Sequence, residues 1–240
     1  MRSSLSSARL LVVQTGTTDL HGDYPRWFER ALGMELAVVR AHEGEALSPA
    51  MDRFRPRGVI VTGSPLSVMD QAPWMLRLGE DLLRVGASGT PVLGVCFGHQ
   101  LLARAAGGGV VLNPRGREIG TVRVQLTESG RKDPLFAPWV NGSDLEVHAT
   151  HMDAVDPLPP GATVLASNEN TAAQAFRLSE TVAGVQFHPE LWPEALRDLI
   201  ASRRDKLAAE GMDATALADE VHEVKAAALL RAFAAQSQLA

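Results

Sequence analysis

One cysteine, Cys96, follows the apolar run at residues 91–95 and is flanked by Gly94 and Gly98. Behind it, Leu101-Leu102-Ala103-Arg104-Ala105-Ala106 reads as a helix. A Gly-x-Cys-x-Gly between a buried strand and a helix is the thiol form of a nucleophile elbow. The glycines let the chain turn where side chains would clash. The turn sets the sulfur beside a helix N-terminus, where backbone N–H groups and the helix dipole favour the thiolate. A thiol nucleophile needs a base, and the base needs an orienting group. The apolar run at residues 182–187 ends in His188-Pro189-Glu190. In an extended chain, positions 188 and 190 point to one side. The imidazole can then face the sulfur while Glu190 holds its far nitrogen. Parallel α/β sheets gather their ligand sites at the carboxyl ends of strands, and Cys96 and His188 both fall at such ends.

The elements needed to position these residues are legible in outline. Residues 10–14, 36–39, 58–62 and 91–95 are short, near-continuous apolar runs. Two helical patterns lie between them, residues 23–32 (with Gly33 as a C-cap) and 73–85 (with Pro73 in its first turn). Apolar strands alternating with helices predict a parallel sheet covered on both faces. Residues 118–126 alternate apolar and polar, as in a half-exposed strand. Residues 163–167, 172–176 and 182–187 add three short strands, and together these predict a small antiparallel section. Residues 193–210 read as a helix ending at Gly211. Asp213 is placed to cap a last helix through the Ala-rich tail, with Leu217, Val221, Val224 and Leu229 on one face. The fold class is therefore α/β, a mostly parallel central sheet with helices on both faces and an extra C-terminal helix. No linker or internal repeat divides residues 1–240. The expectation is one domain, with a core at about residues 9–200 and a helical extension at 201–240.

Composition narrows the function. The net charge of −5 offers no basic surface for nucleic acid. No apolar run approaches the roughly 20 residues of a membrane span. One cysteine rules out an internal disulfide framework and suits the cytoplasm. Residues 1–8 lack the apolar core of a signal peptide and read as a frayed end. His148 and His151 lack the further ligands of a zinc site, so no metal and no cofactor is expected. His99 is expected to pack on its helix, and Glu118 to play a structural part.

The chain resembles the class I, triad-type glutamine amidotransferases over roughly residues 10–200. The likeness rests on Gly94-Val95-Cys96-Phe97-Gly98-His99-Gln100, on Gln186-Phe187-His188-Pro189-Glu190, and on their order. In α/β-hydrolases, by contrast, the acid precedes the histidine. The resemblance implies a flavodoxin-like sheet and an active site of Cys96, His188 and Glu190. It implies that Gln100 helps to hold the amino-acid end of the substrate. It also implies that the segment Thr150-His151-Met152-Asp153-Ala154-Val155, with His151 and Asp153, lines the substrate's α-amino and α-carboxyl groups. Thr62-Gly63-Ser64-Pro65 corresponds to the family's first oxyanion loop, although many relatives have glycine where this chain has Ser64. The oxyanion donors would be backbone N–H groups of Gly63, Ser64 and Phe97.

The implied reaction is hydrolysis of the γ-carboxamide of glutamine through a γ-glutamyl thioester. The substrate would be a small molecule, glutamine or a γ-glutamyl compound. The elbow, the 62–65 turn and Asn113-Pro114-Arg115-Gly116-Arg117-Glu118 look especially like the stand-alone group that includes γ-glutamyl peptidases. Two alternatives therefore stand beside glutaminase activity: a γ-glutamyl peptidase, and a non-catalytic interaction protein of the same fold. The chain has no Gly-x-x-x-x-Gly-Lys-Ser/Thr phosphate loop of its own. A synthetase partner subunit is one expectation, and a homo-oligomer through the C-terminal helix is another.

Overall fold

A computed structural model of the chain describes residues 10–139 and 144–239. The segment read as a frayed N-terminal end lies outside these residues. The strands are β1 (Leu11–Gln14), β2 (Ala37–Arg40), β3 (Val59–Val61), β4 (Val92–Val95), β5 (Val110–Leu112), β6 (Glu118–Leu126), β7 (Asp144–His151), β8 (Asp153–Val155), β9 (Thr163–Ser167), β10 (Ala175–Arg177) and β11 (Val182–Val185). The α-helices are α1 (Tyr24–Leu32), α2 (Leu47–Phe54), α3 (Pro73–Ala87), α4 (Phe97–Ala105), α5 (Glu128–Lys132), α6 (Pro193–Ser202), α7 (Arg204–Ala209), α8 (Ala214–Asp219) and α9 (Ala227–Leu239).

Nine strands form one sheet in the order β2-β1-β3-β4-β11-β10-β9-β6-β7, and β5 pairs with β8 in a separate ribbon. The first five strands in this order are mutually parallel, and from β11 onward neighbours run antiparallel. The flavodoxin-like α/β expectation holds. The placement of residues 182–187 in the antiparallel section is corrected. β11 is the fifth parallel strand, in register with β4 from Val182 opposite Val92 to Val185 opposite Val95, and only its other edge is antiparallel. Its four residues are all buried, as in a parallel strand covered on both faces. Side-chain pattern records that burial but carries no information on strand direction.

Alternate residues along β1, together with Leu10 just before it, face two cores. Leu10 and Val12 pack with Phe28, Leu36, Leu93, Val95, Leu229 and Phe233, under α1 and α9. Leu11 and Val13 pack with Leu47, Met75, Leu82, Phe97 and Leu102, under α2, α3 and α4. The Leu229 stripe of the tail is thus spent inside the chain. A third cluster joins Tyr24 and Trp27 to Leu196, Leu199, Leu207 and Val221.

Several predicted boundaries are met by local chemistry. Asp23 accepts from the N–H of Tyr24 at 2.8 Å to start α1, and Gly33 ends it in the left-handed region at φ 69°. The helix read over residues 193–210 is broken between α6 and α7 at Arg203. The tail helix is two helices: α8, capped by Asp213, and α9, separated by an irregular stretch. Strand β7 and helix α2 were not anticipated. None of the described helices is long and apolar enough to cross a membrane.

Candidate active site

The parallel pairing of β4 and β11 brings the two motifs together. Cys96 leaves β4 with its N–H bonded to Val185 O at 2.9 Å, closing the ladder between the two strands. Gln186 to His188 then leave β11 on the same end of the sheet. Cys96 itself carries the strain of the turn, at φ 51° and ψ −101°, a region that costs a non-glycine residue on the order of 1–3 kcal/mol. The flanking glycines answer close approach. A Cβ on Gly94 would stand 2.4 Å from Gly98 O, and one on Gly98 would stand 2.6 Å from Val61 O. The elbow helix therefore rests directly on the backbone of β3 and β4.

His188 is buried, and its Nδ1 meets Glu190 Oε1 at 2.6 Å. Its backbone N–H donates to His148 O at 2.8 Å, which fixes the strand exit. Nε2 is buried and has no well-formed hydrogen bond among the described residues. Burial pushes the imidazole toward neutrality, but the Glu190 carboxylate and then Cys96 outweigh it and hold the pKa above the ordinary histidine value. Gly63 sits against both Cys96 and His188. A Cβ there would lie 2.9 Å from His188 Cε1 and 3.7 Å from Cys96 Cβ.

The turn carrying Gly63 is braced from β1. Thr15 Oγ1 donates to Gly63 O at 3.0 Å, and Ser64 Oγ donates to Thr15 O at 2.8 Å. Ser64, the departure from the family pattern, thus ties the turn down. The N–H groups of Gly63, Ser64 and Phe97 meet no acceptor among the described residues. Phe97 opens α4, so its N–H is among those a helix leaves unpaired.

A cavity of about 350 Å³ opens in front of Cys96, lined in part by Ser64, Phe97, Gln100, His151 and Asp153. Every residue singled out for the substrate thus reaches it. Gln100 Nε2 donates to Asp153 O and to Gln186 Oε1, both at 3.0 Å. His151 ends β7, with Nδ1 3.1 Å from Asp153 O and Nε2 2.8 Å from Glu118 Oε2. Glu118 also accepts from Asn168 at 2.6 Å and from Gln174 at 2.5 Å. Burial works to raise the Glu118 carboxyl, but these donors prevail and hold it below its usual range. Its structural part is therefore to hold His151. His99 is buried against Phe176, with ring centroids 4.4 Å apart. Among the described residues, no group of three or more His, Cys, Asp or Glu could hold a metal ion.

Sequence reasoning missed Tyr24, Arg117, Arg203 and Lys206, which line this cavity or the recess beside it. A lone tyrosine and isolated cations on helices and loops carry no pattern that could have revealed them.

The family model for class-I glutamine amidotransferases matches residues 29–203. The chain belongs to this family. It is 34% identical to the glutamine amidotransferase-like protein YfeJ of Salmonella typhimurium over 192 residues, 78% of this chain and 77% of that one. It is 36% identical to the glutamine-hydrolysing GMP synthase of Aeropyrum pernix over 80% of this chain but only 34% of that protein. Among solved structures, the glutamine amidotransferase of Methylobacillus flagellatus superposes with a TM-score of 0.74 at 26% identity, covering 97% of this chain and 94% of the other. A glutamine amidotransferase of Thermotoga maritima shares the fold, with a TM-score of 0.77 at 21% identity, covering 95% and 98%.

Proposed function

We propose that the protein hydrolyses the side-chain amide of glutamine, or of a γ-glutamyl compound, with Cys96 as nucleophile, His188 as base and Glu190 as its orienting partner. One observation carries this reading. Adjacent parallel strands deliver a strained thiol and a carboxylate-anchored imidazole to the same end of the sheet, around Gly63. Family membership supports it.

In this mechanism His188 Nε2 takes the thiol proton, and Sγ attacks the carboxamide carbon. The oxyanion is met by the N–H groups of Gly63, Ser64 and Phe97. A single such donor is commonly worth roughly a hundred-fold or more in rate. His188 then gives its proton to the leaving nitrogen, the C–N bond breaks, and ammonia departs. Water attacks the γ-glutamyl thioester, giving up a proton to His188. Glutamate leaves and the thiol is restored. Gln100, His151 and Asp153 line the place of the amino-acid end. The glutamine-hydrolysing GMP synthase relative supports delivery of the ammonia to a synthetase partner. A free reactive thiol suits a reducing compartment such as the cytoplasm.

The test is glutamate release from glutamine and from γ-glutamyl dipeptides by the purified chain. Wild type releases glutamate, and Cys96→Ser lowers the rate by about a thousand-fold or more. The reading is refuted if wild type consumes neither substrate and a glutamine-like electrophile leaves Cys96 unmodified.

A further inference from the structure

The cavity carries more cations than the single α-carboxylate of a glutamine substrate requires. Its lining carries Arg117, Arg203 and Lys206 against one carboxylate, Asp153. Two of these charged groups are already engaged. Glu210 grips Arg117 in a bidentate pair at 2.7 and 2.9 Å, and Asp153 accepts from Ser67 Oγ at 2.6 Å. Arg203 is different. Its guanidinium makes one hydrogen bond, to Thr150 Oγ1, and no carboxylate among the described residues is within ion-pair reach. A guanidinium has five N–H donors, so most of its capacity is unspent. Burial acts first on this group and, with repulsion from Arg117, draws its pKa below the ordinary arginine value despite the opposing pull of Tyr24, Cys96 and Glu210.

Position gives this cation a direction. A recess of about 20 Å³ beside the cavity is lined by Tyr24, Trp27, Cys96, His188, Leu199 and Arg203, among others. That volume admits about one water-sized molecule. His188 must protonate the departing nitrogen, so the leaving group lies on the His188 side, away from Gln100. Arg203 borders both the recess and the open cavity. A leaving amine seated by His188 and extending outward passes the guanidinium, with Lys206 beyond.

We propose that Arg203, flanked by Lys206, is a leaving-group subsite for a carboxylate, so that the preferred substrates are γ-glutamyl amino acids or peptides whose released amine carries that group. The proposal rests on the hydrolytic reading above. The amide bond between the γ-carbonyl and the amino acid breaks, His188 protonates the nitrogen, the amino acid departs, and water alone completes the cycle.

The experiment compares γ-glutamylglycine with γ-glutamylglycinamide, which differ only in that carboxylate. Wild type prefers the acid in kcat/KM by about ten- to a hundred-fold, the range for hydrogen bonds to a charged group. Arg203→Met removes the preference, Arg203→Lys retains part of it, and Lys206→Met lowers it less. Each ratio is taken on one protein sample, so a misfolded fraction cancels. A wild-type ratio near one, or a preference that survives Arg203→Met, overturns the subsite. Calorimetric titration of Cys96→Ala protein with both compounds separates the two readings. If wild type turns over neither compound but the Cys96→Ala protein still binds the acid more tightly, the subsite stands and the hydrolytic reading falls. If glutamine is hydrolysed and the acid has no advantage, the reverse holds.

Discussion

His99 makes the protein sensitive to acid, and replacing it with glutamine removes part of that sensitivity. The ring is fully buried on α4, and its pKa is lowered to about 3, chiefly by burial, with His151 adding to the effect. In the unfolded chain the same ring titrates near its ordinary value, about 6.5. Between these two values the unfolded state binds the proton and the folded state does not, so stability falls as pH falls. Each pH unit below about 6.5 costs about 1.4 kcal/mol, which gives about 2 kcal/mol at pH 5. That is a large share of a typical stability of about 5–15 kcal/mol. Urea unfolding at pH 8 and pH 5 reads the effect. His99→Gln loses packing against Phe176 at both pH values, but its stability falls by about 2 kcal/mol less on acidification than that of wild type. Other titrating groups are common to the two proteins and cancel. Equal losses in both would refute the argument. A Cβ on Gly184 would stand 2.8 Å from His99 Nδ1, so the ring lies directly between α4 and β11. In the folded protein the ring takes up a proton only near pH 3, so loosening of the two elements that carry Cys96 and His188 is confined to that range.

Two further substitutions probe the tight approaches at the site. Gly63→Ala forces His188 Cε1 away from a Cβ 2.9 Å distant; kcat drops about ten- to a hundred-fold in a glutamate-release assay, and a wild-type kcat would show that the imidazole has room to spare. Gly94→Ala drives a Cβ to 2.4 Å from Gly98 O, where only backbone can yield; thermal unfolding should report a loss of about 3 kcal/mol or more, and an unchanged melting temperature would mean that the elbow is not packed as described.

What the sequence discloses follows what each residue must satisfy locally. Parallel strands such as Leu11–Gln14 and Val92–Val95 are covered on both faces, so they survive as uninterrupted apolar runs. The elbow is legible because its glycines are demanded by contacts within a few residues and with the neighbouring strand. His188 and Glu190 are legible because they lie two positions apart at a strand end. The direction of β11 is not legible, since both directions bury the same side chains. Strand β7 escapes the sequence reading although Leu145, Val147 and Ala149 are buried at alternate positions, because the His151 segment reads as a loop when taken alone. The tail reads as one helix because its alanines favour helix throughout, and tertiary packing decides where it breaks. Arg203 could not be singled out. Its character comes from what is missing around it in space, and a linear pattern cannot record a missing counterion.

The sheet order has a consequence for how the molecule is made. β11 is the last of the described strands to be synthesised, yet it lies in the interior of the sheet, between β4 and β10. Until it emerges from the ribosome, β4 presents a bare apolar border, open to pairing with another nascent chain. The same strand leads into His188. Insertion of one short segment therefore seals the growing sheet and brings the imidazole to the thiol in a single late event, and a chain stopped before it would be sticky.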